Sequence, residues 1–227
     1  MDTQYDIVRA DTLASTQDEA KRRMVDAGKP VLVIAERQTG GRGRQGREWI
    51  QPDRGLFTSF SFESDWEPGD RTLIPLVAAV AMRASIDDVL DVAIGLRWPN
   101  DLMVEAAKVG GVLVEASDDV LTVGCGLNLW WAAPIAGAGS LLSADPAEYS
   151  VVGLASVWAD TLVAYLSAGS NRWPRAAYEA ASVTLGHEVV WDGGSGTARA
   201  IASDGALVVD TATGPIELRA GEVHTRR

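Results

Sequence analysis

The sequence predicts an α+β fold: a mixed, largely antiparallel sheet flanked by helices, followed by a small barrel of short strands. Apolar runs of strand length occupy residues 31–35, 56–62, 109–116 and 120–129. Stretches with helical spacing of apolar residues occupy 17–27, 71–90 and 152–166. Beyond about residue 187, short strands alternate with Gly and Asp turns, which predicts a second, smaller unit.

The composition is typical of a soluble globular protein. The chain has 227 residues, 47% of them hydrophobic and 22% charged, so it can bury one good-sized core in one or two domains. Its formal net charge of -11 argues against a nucleic-acid partner, because proteins that bind phosphate backbones carry the opposite charge. No apolar run approaches the roughly 20 residues of a membrane-spanning helix, and residues 1–4 show no leader. We therefore expect a cytoplasmic protein without a membrane partner.

Cysteine and histidine usage does not indicate a metal centre. Cys125 is the only cysteine, which excludes an intrachain disulfide and a multi-cysteine metal site. It lies between two glycines in an apolar run, and we interpret it as a small packed residue. His187 and His224 are far apart in sequence and have no ligand-like spacing.

The first predicted helix has clear start and stop signals. Ser15 and Thr16 can cap it through their hydroxyl groups, and Gly28 ends it. The long helix predicted from about residue 71 to 90 carries apolar residues at helical spacing and is interpreted as scaffold. A short strand at 94–98 then leads into the turn Pro99-Asn100-Asp101.

The stretch 36–49 holds four glycines and four arginines between two predicted strands. Glycines let backbone N–H groups approach a ligand, and guanidinium groups pair with carboxylate and phosphate oxygens. The G-x-G-x-x-G spacing from Gly41 to Gly46 matches a dinucleotide fingerprint, but no helical pattern follows it, and the Lys-Ser/Thr pair of a P-loop is missing. A disordered Arg-Gly segment that binds RNA is a further alternative. The strands on both sides favour an anion-binding site instead.

This loop, QTGGRGRQGREW at 38–49, resembles the biotin-binding loop of biotin protein ligases. Three further blocks agree with that family in order and spacing: RWPND at 97–101, KVGGVLVE at 108–115 and GCGLN at 124–128. The resemblance extends from about Ser15 to the C-terminus. Four blocks in one order are far more specific than any one of them.

The resemblance implies a class II aminoacyl-tRNA synthetase/biotin ligase-like fold with an SH3-like C-terminal barrel. Residues 1–181 would form the catalytic domain that binds biotin and ATP, and residues 182–227 the SH3-like domain. Some fourteen residues precede Ser15, too few for a winged-helix DNA-binding domain, so the ligase-only kind is expected. Arg226 matches a terminal arginine of the family by position.

The resemblance also implies site residues. Biotin would be held by Ser15, Thr16, Gln17, Gln38, Gly41, Arg42, Gly43, Arg44, Lys108 and Gly111. The nucleotide would be held by Arg42, Arg47, Trp49, Lys108 and Asn128. Arg44 and Lys108 would be catalytic, at the biotin carboxylate and the α-phosphate. Asp101 is either a turn former or a ligand of Mg²⁺, a hard cation that prefers oxygen.

Two positions depart from the family. Gln17 stands where most relatives have Asn, and Arg97 stands where they usually have Lys. An ammonium and a guanidinium place their donors differently, so the second exchange changes local contacts. Trp130 and Trp131 are either interior residues or a cover for a purine ring, and spacing does not decide between the two.

The function implied is ATP-dependent biotinylation. Biotin and ATP would give biotinoyl-5'-AMP, and biotin would pass to a lysine of a biotin carboxyl carrier domain, such as that of an acyl-CoA or pyruvate carboxylase. Two alternatives remain: a biotin-binding sensor without turnover, and a lipoate or octanoate ligase on the same scaffold. We expect a monomer or a weak homodimer.

Overall fold

The structure, a computed structural model, describes residues 5–90, 92–146, 151–219, 221 and 223–225. The larger of its two sheets consists of β1 (Asp6–Leu13), β2 (Val31–Gln38), β3 (Arg54–Glu63), β4 (Gly95–Arg97), β5 (Asp101–Val104), β6 (Ala107–Ser117) and β7 (Val120–Trp130). Their order in space is β1-β2-β3-β7-β6-β5-β4. Only β1 and β2 are parallel among these neighbours, which confirms the predicted mixed, largely antiparallel sheet.

Helices cover both faces of this sheet. They are α1 (Thr16–Ala27), α2 (Ile74–Leu90), α3 (Val151–Ser167) and α4 (Arg175–Ala181). One face is covered by α1, through a small apolar cluster that includes Ala20 and Met24. The other face is covered by α2 and α3, which belong to the main core, where Trp158 is fully buried and its indole N–H donates to Ala78 O at 3.2 Å.

The cap signals of α1 are confirmed. Ser15 is extended and its Oγ accepts from the backbone N–H of Asp18 at 3.3 Å. Gly28 ends the helix at φ 62°, a left-handed conformation that costs glycine little. The start of α2 differs from the prediction by a few residues, because Asp70–Leu73 form a 3-10 turn before the α-helix begins at Ile74.

Three strands were not predicted: β1, β5 and the C-terminal strand His224–Thr225. β1 pairs only with β2, and its residues are exposed or half-buried, so it lacks the apolar alternation by which strands are recognised. Its position is decided by the parallel register with β2, in which Asp6 lies beside Val31.

The second sheet consists of β8 (Glu188–Trp191), β9 (Gly194–Ile201), β10 (Leu207–Thr211), β11 (Gly214–Leu218) and β12 (His224–Thr225). All neighbours in the order β11-β10-β9-β8-β12 are antiparallel, which is consistent with an SH3-like domain. A closed barrel is not formed by the described residues, because β11 and β12 are the two outer strands and do not pair. Arg226 lies outside the described residues.

The second sheet packs against the turn after β4. Trp98 is 3% exposed, and its indole N–H donates to Gly205 O at 2.9 Å. The Trp98 backbone N–H donates to Thr184 Oγ1, also at 2.9 Å. One apolar core extends through both sheets. No helix in the described part of the chain is long and apolar enough to cross a membrane.

Candidate active site

A cavity of about 320 Å³ lies where the loop after β2 faces the N-terminus of α1 and the first half of β6. Its walls include twelve of the residues predicted for the site: Ser15, Thr16, Gln17, Gln38, Arg42, Gly43, Arg44, Arg47, Trp49, Asp101, Lys108 and Gly111. Residues that are up to 96 positions apart in sequence therefore meet at one place.

One end of the cavity is uncharged and rich in hydrogen-bonding groups. Gln38 Oε1 accepts from the Thr16 backbone N–H at 2.7 Å and lies 3.1 Å from Thr16 Oγ1. Ser59 Oγ lies 2.8 Å from Thr16 Oγ1 and 2.9 Å from Gln17 Oε1. These four residues are buried. This end suits a small polar group without charge, because a charged group would be desolvated there without a counter-ion.

Glycines of β6 and β7 form the floor of the cavity. A Cβ at Gly126 would lie 3.1 Å from two ring atoms of Trp49, and a Cβ at Gly111 would lie 3.3 Å from the same ring. At Gly124 it would lie 2.4 Å from Gln17 Oε1. These positions have no side chain because Trp49 and Gln17 occupy the space above them.

The part of the cavity around Lys108 and Asp101 carries cationic side chains and is called the cationic end. Among the described residues of the lining, five are cationic and two are acidic: Arg42, Arg44, Arg47, Arg97 and Lys108 against Glu48 and Asp101. This local excess contrasts with the net charge of -11 of the whole chain. Fixed positive charge of this kind stabilises anionic ligands.

Lys108 is held between a carboxylate and an aromatic ring. Its Nζ lies 2.5 Å from Asp101 Oδ1 and 5.5 Å from the centroid of the Trp49 ring. The other oxygen of Asp101 accepts from Arg97, at 2.6 Å from Nη2 and 3.1 Å from Nε. Arg97 therefore keeps Asp101 paired independently of Lys108.

Two arginines anchor the glycine-rich loop to other elements. Arg42 donates to both oxygens of Asp18 on α1, at 2.6 and 2.8 Å. Hydrogen bonding to Arg42 is the main cause that lowers the pKa of Asp18, and the same contact raises the pKa of Arg42. Arg44 donates to Asn100 Oδ1 at 3.0 Å and to Gly221 O at 3.1 Å, so it joins the loop to the turn after β4 and to the C-terminal unit.

Two predicted residues do not line the cavity. Gly41 is buried beneath the loop, where its carbonyl accepts from the Trp49 backbone N–H at 3.0 Å. Asn128 is buried outside the lining, and its amide donates to Gly139 O at 3.1 Å and to Lys108 O at 3.4 Å. Its Oδ1 is buried without a hydrogen-bond partner among the described residues.

Several residues of the lining were not predicted from the sequence. Ser59 could have been recognised as a candidate, because it is a serine in the buried run of β3 and a buried hydroxyl needs a hydrogen-bond partner. Glu48 and Asn100 belong to the motifs at 38–49 and 97–101, but no role in ligand binding was predicted for them. Val223 and His224 of the C-terminal unit gave no signal, because their contact with the cavity depends on how the two sheets pack.

The residues present do not form a ready site for Mg²⁺. Both oxygens of Asp101 are engaged by cationic groups, those of Arg97 and Lys108. The described part of the chain has no group of three or more His, Cys, Asp or Glu side chains that could hold a metal ion. The assignment of Asp101 to Mg²⁺ remains a prediction.

Burial explains the state of Cys125. Desolvation raises the pKa of its thiol above the ordinary range, and nearby Lys108 only partly offsets this effect. The thiol is therefore protonated at neutral pH, which agrees with the interpretation as a packed residue.

The fold and the cavity together define a class of protein: an α+β protein whose site has a neutral, hydrogen-bonding end suited to an uncharged polar group and a cationic end suited to anions. A family model described as the biotin/lipoate A/B protein ligase family matches residues 10–128, and the chain belongs to this family.

Known ligases are similar to this chain over matches of different lengths. The biotin--[acetyl-CoA-carboxylase] ligase of Mycobacterium tuberculosis is 32% identical over 207 residues, which cover 85% of this chain and 78% of the relative. The bifunctional ligase/repressor BirA of Bacillus subtilis is 32% identical over 130 residues, which cover 54% of this chain and 40% of the relative. This chain thus spans about two fifths of the length of the Bacillus relatives that it matches.

Solved structures are similar over nearly the whole chain. The biotin protein ligase from Aquifex aeolicus in complex with biotin and ATP has a TM-score of 0.80 and 26% sequence identity. The match covers 98% of this chain and 99% of that one.

Proposed function

We propose that the protein is an ATP-dependent biotin protein ligase. It forms biotinoyl-5'-AMP from biotin and ATP and transfers biotin to a lysine of a biotin carboxyl carrier domain, releasing AMP. The observation that carries the proposal is a single cavity with a neutral, hydrogen-bonding end and a cationic end. These ends suit the urea ring and the carboxylate of biotin, and the related Aquifex structure contains biotin and ATP.

The first step joins two anions. A carboxylate oxygen of biotin attacks the α-phosphorus of ATP, the bond to the bridging oxygen breaks, and pyrophosphate leaves with that electron pair. Repulsion between the reactants dominates the barrier, so positive charge placed before the reaction lowers it. Lys108, Arg44 and Arg47 provide that charge. Removing one such donor costs about 3 kcal/mol in comparable sites, a factor of at least a hundred in rate.

Lys108 changes partners in this proposal. Its ammonium leaves Asp101 Oδ1 and takes the carboxylate and α-phosphate oxygens of the substrates. Arg97 remains bound to Asp101 Oδ2 through two N–H groups, so the Asp101 carboxylate is not left unpaired.

Arg44 retains the intermediate. Its bonds to Asn100 Oδ1 and Gly221 O hold the loop across the cavity. A mixed anhydride hydrolyses in water, so a loop held closed protects it until the acceptor lysine arrives. In the second step the lysine nitrogen attacks the acyl carbon, the bond to the phosphate oxygen breaks, and AMP leaves.

Mg²⁺ is proposed as the ion that accompanies ATP and neutralises its phosphates. The proposed acceptor is the biotin carboxyl carrier domain of a carboxylase, since the relative from Mycobacterium tuberculosis is named as a biotin--[acetyl-CoA-carboxylase] ligase. We propose a cytoplasmic location and a monomer or weak homodimer.

The experiment is adenylation by the purified protein. Biotin, ATP and Mg²⁺ are expected to give biotinoyl-AMP by mass spectrometry and an equivalent of pyrophosphate. Lipoate is supplied in a parallel reaction as the competing acid. Biotin binding without pyrophosphate release would instead identify a sensor, and preference for lipoate would identify a lipoate ligase.

A further inference from the structure

At the neutral end of the cavity, the number of oxygen–oxygen contacts exceeds the number of protons available to bridge them. Three oxygen–oxygen contacts connect four residues in a row: Gln17 Oε1 to Ser59 Oγ at 2.9 Å, Ser59 Oγ to Thr16 Oγ1 at 2.8 Å, and Thr16 Oγ1 to Gln38 Oε1 at 3.1 Å. Only the two hydroxyl groups can supply protons, because amide oxygens only accept. One of the three contacts is therefore without a proton.

The orientation of both amides is determined by their other contacts. Gln17 Nε2 donates to Thr122 O at 3.1 Å and to Leu113 O at 3.3 Å, so turning this amide over would set its oxygen against two carbonyl oxygens. Gln38 Oε1 accepts from the Thr16 backbone N–H at 2.7 Å, so turning that amide over would oppose two donors.

These constraints decide which contact has no proton. Among the described residues, Ser59 is the donor that contacts Gln17 Oε1, whereas Gln38 Oε1 already accepts from the Thr16 backbone N–H. With the Ser59 hydroxyl donating to Gln17 Oε1, the Thr16 hydroxyl can donate either to Ser59 Oγ or to Gln38 Oε1. We assign it to Ser59 Oγ, because that contact is shorter, at 2.8 Å against 3.1 Å, and Gln38 Oε1 already accepts a proton. The contact without a proton is then Thr16 Oγ1 to Gln38 Oε1, the longest of the three.

We propose that Gln17, acting through Ser59, turns the Thr16 hydroxyl away from Gln38 and so creates a pair of acceptors that selects a ligand ring carrying an N–H donor. This inference rests on the proposed function and deepens it. Gln17 is a positioning residue, since its own amide is occupied by Ser59, Leu113 and Thr122. A urea N–H can donate to these two acceptors, whereas a ring without an N–H leaves the contact between them without a proton.

The glycine at position 124 makes this arrangement possible. A Cβ there would lie 2.4 Å from Gln17 Oε1 and 3.2 Å from Ser59 Oγ, so any other residue would displace the amide oxygen that orients Ser59.

Two variants reverse the direction of the hydroxyl groups in different ways. Gln17→Met removes the acceptor, so Ser59 donates to Thr16 and Thr16 donates to Gln38. Ser59→Ala removes the intermediate hydroxyl, and Thr16 again donates to Gln38. Ser61→Ala is the matched control, because Ser61 is a buried serine on the same strand whose Oγ contacts Thr122 Oγ1 at 3.0 Å and which is not part of the cavity wall.

The measurement is the dissociation constant, by calorimetry and competition, for biotin and for the two N-methylbiotins, each methylated on one urea nitrogen. The wild type is expected to discriminate against one N-methylbiotin at least tenfold. Gln17→Met and Ser59→Ala should each weaken biotin binding about tenfold and leave binding of that N-methylbiotin within twofold. Ser61→Ala should preserve the wild-type ratio.

Equal losses for both ligands would indicate a merely structural role and overturn the proposal. Loss of discrimination in Ser59→Ala alone would also overturn it, because extra space beside the ring would then be the cause. A wild-type protein that does not bind biotin would refute the proposed function, and with it this inference. A wild type that binds and adenylates biotin while Gln17→Met keeps its discrimination refutes only the inference.

Discussion

Lys108 and Asp101 form a charged contact of 2.5 Å at the cationic end of the cavity. At the scale of single residues, this contact keeps the ammonium beside the place where two anions would meet. The partially exposed pair is expected to contribute little to stability, because solvent screens it. Its contribution is to position the Lys108 ammonium for the reaction.

Lys108→Ala is expected to lower the rate of biotinoyl-AMP formation at least a hundredfold, because the positive charge on the reacting oxygens is lost. Biotin binding should survive in part, since the neutral end of the cavity is untouched. The measurements are pyrophosphate release and calorimetric titration with biotin. Lys29→Ala is the matched control, as Lys29 pairs with Asp6 outside the cavity. Full activity of Lys108→Ala would remove Lys108 from the mechanism.

At the scale of elements, the site is a loop held by α1 on one side and supported by glycines of the sheet beneath. Arg42 joins the loop to Asp18 on α1 through two hydrogen bonds. Trp49, at the end of the loop, lies on Gly111 and Gly126, which are paired in the register of β6 and β7. The geometry of the loop therefore depends on both neighbours.

The contact between the loop and α1 should depend on pH in a defined direction. Hydrogen bonding to Arg42 lowers the pKa of Asp18 below its ordinary value of 3.8. A carboxyl group with a lowered pKa stabilises the fold above the unfolded pKa and loses that effect as pH falls through the lower, folded pKa. Asp18→Asn should cost about 0.5 kcal/mol or less at pH 7, because the pair is exposed, and the cost should shrink as the pH falls through the lowered pKa of Asp18.

Urea unfolding of wild type and Asp18→Asn at several pH values between 2 and 7 measures this difference. A difference that persists unchanged at the lowest pH would show that the Asp18 charge is not its cause.

Gly126→Ala is expected to destabilise the protein by about 1–3 kcal/mol and to weaken ligand binding, because the added Cβ would lie 3.1 Å from the Trp49 ring. Gly153→Ala on α3 is the matched control. A Cβ there meets no atom within 4 Å, so the same substitution should stabilise the helix by about 0.4–1 kcal/mol. Thermal unfolding and biotin titration measure both. Equal stability changes in the two variants would contradict a role for the glycine floor.

At the scale of the whole molecule, the two sheets share one apolar core, and the cavity takes residues from both. Val223 and His224 line it, and Arg44 donates to Gly221 O at 3.1 Å. The proposed domains 1–181 and 182–227 are therefore distinct in sequence pattern but continuous in packing.

We expect the two units to unfold in a single transition. Trp98, buried beneath the second sheet, would lose its bond to Gly205 O and be exposed to water if that sheet unfolded alone. Calorimetry should give equal calorimetric and van't Hoff enthalpies. Two separate transitions would indicate that residues 182–227 are an independent domain.

Much of the site was predictable because its residues lie in short local motifs. The glycine-rich loop, the turn at Asp101 and the lysine that follows were assigned from order and spacing. Ser59 and His224 were missed, because a serine within an apolar strand and a residue of a distant strand reach the cavity only through packing. β1 was missed for a related reason: its edge position leaves it without an apolar pattern.

The sequence by itself determined the fold class, the family and the chemical character of the cavity, because periodicity and motif chemistry are local properties of the chain. Only the tertiary structure decided that Asp101 pairs with both Arg97 and Lys108, that the Asn128 amide donates to Gly139 outside the lining, and that Gln17 is hydrogen-bonded to Ser59. Whether two distant residues form a hydrogen bond or an ion pair depends on differences of a few tenths of an ångström in the distance between their atoms. Those distances follow from strand register and helix packing.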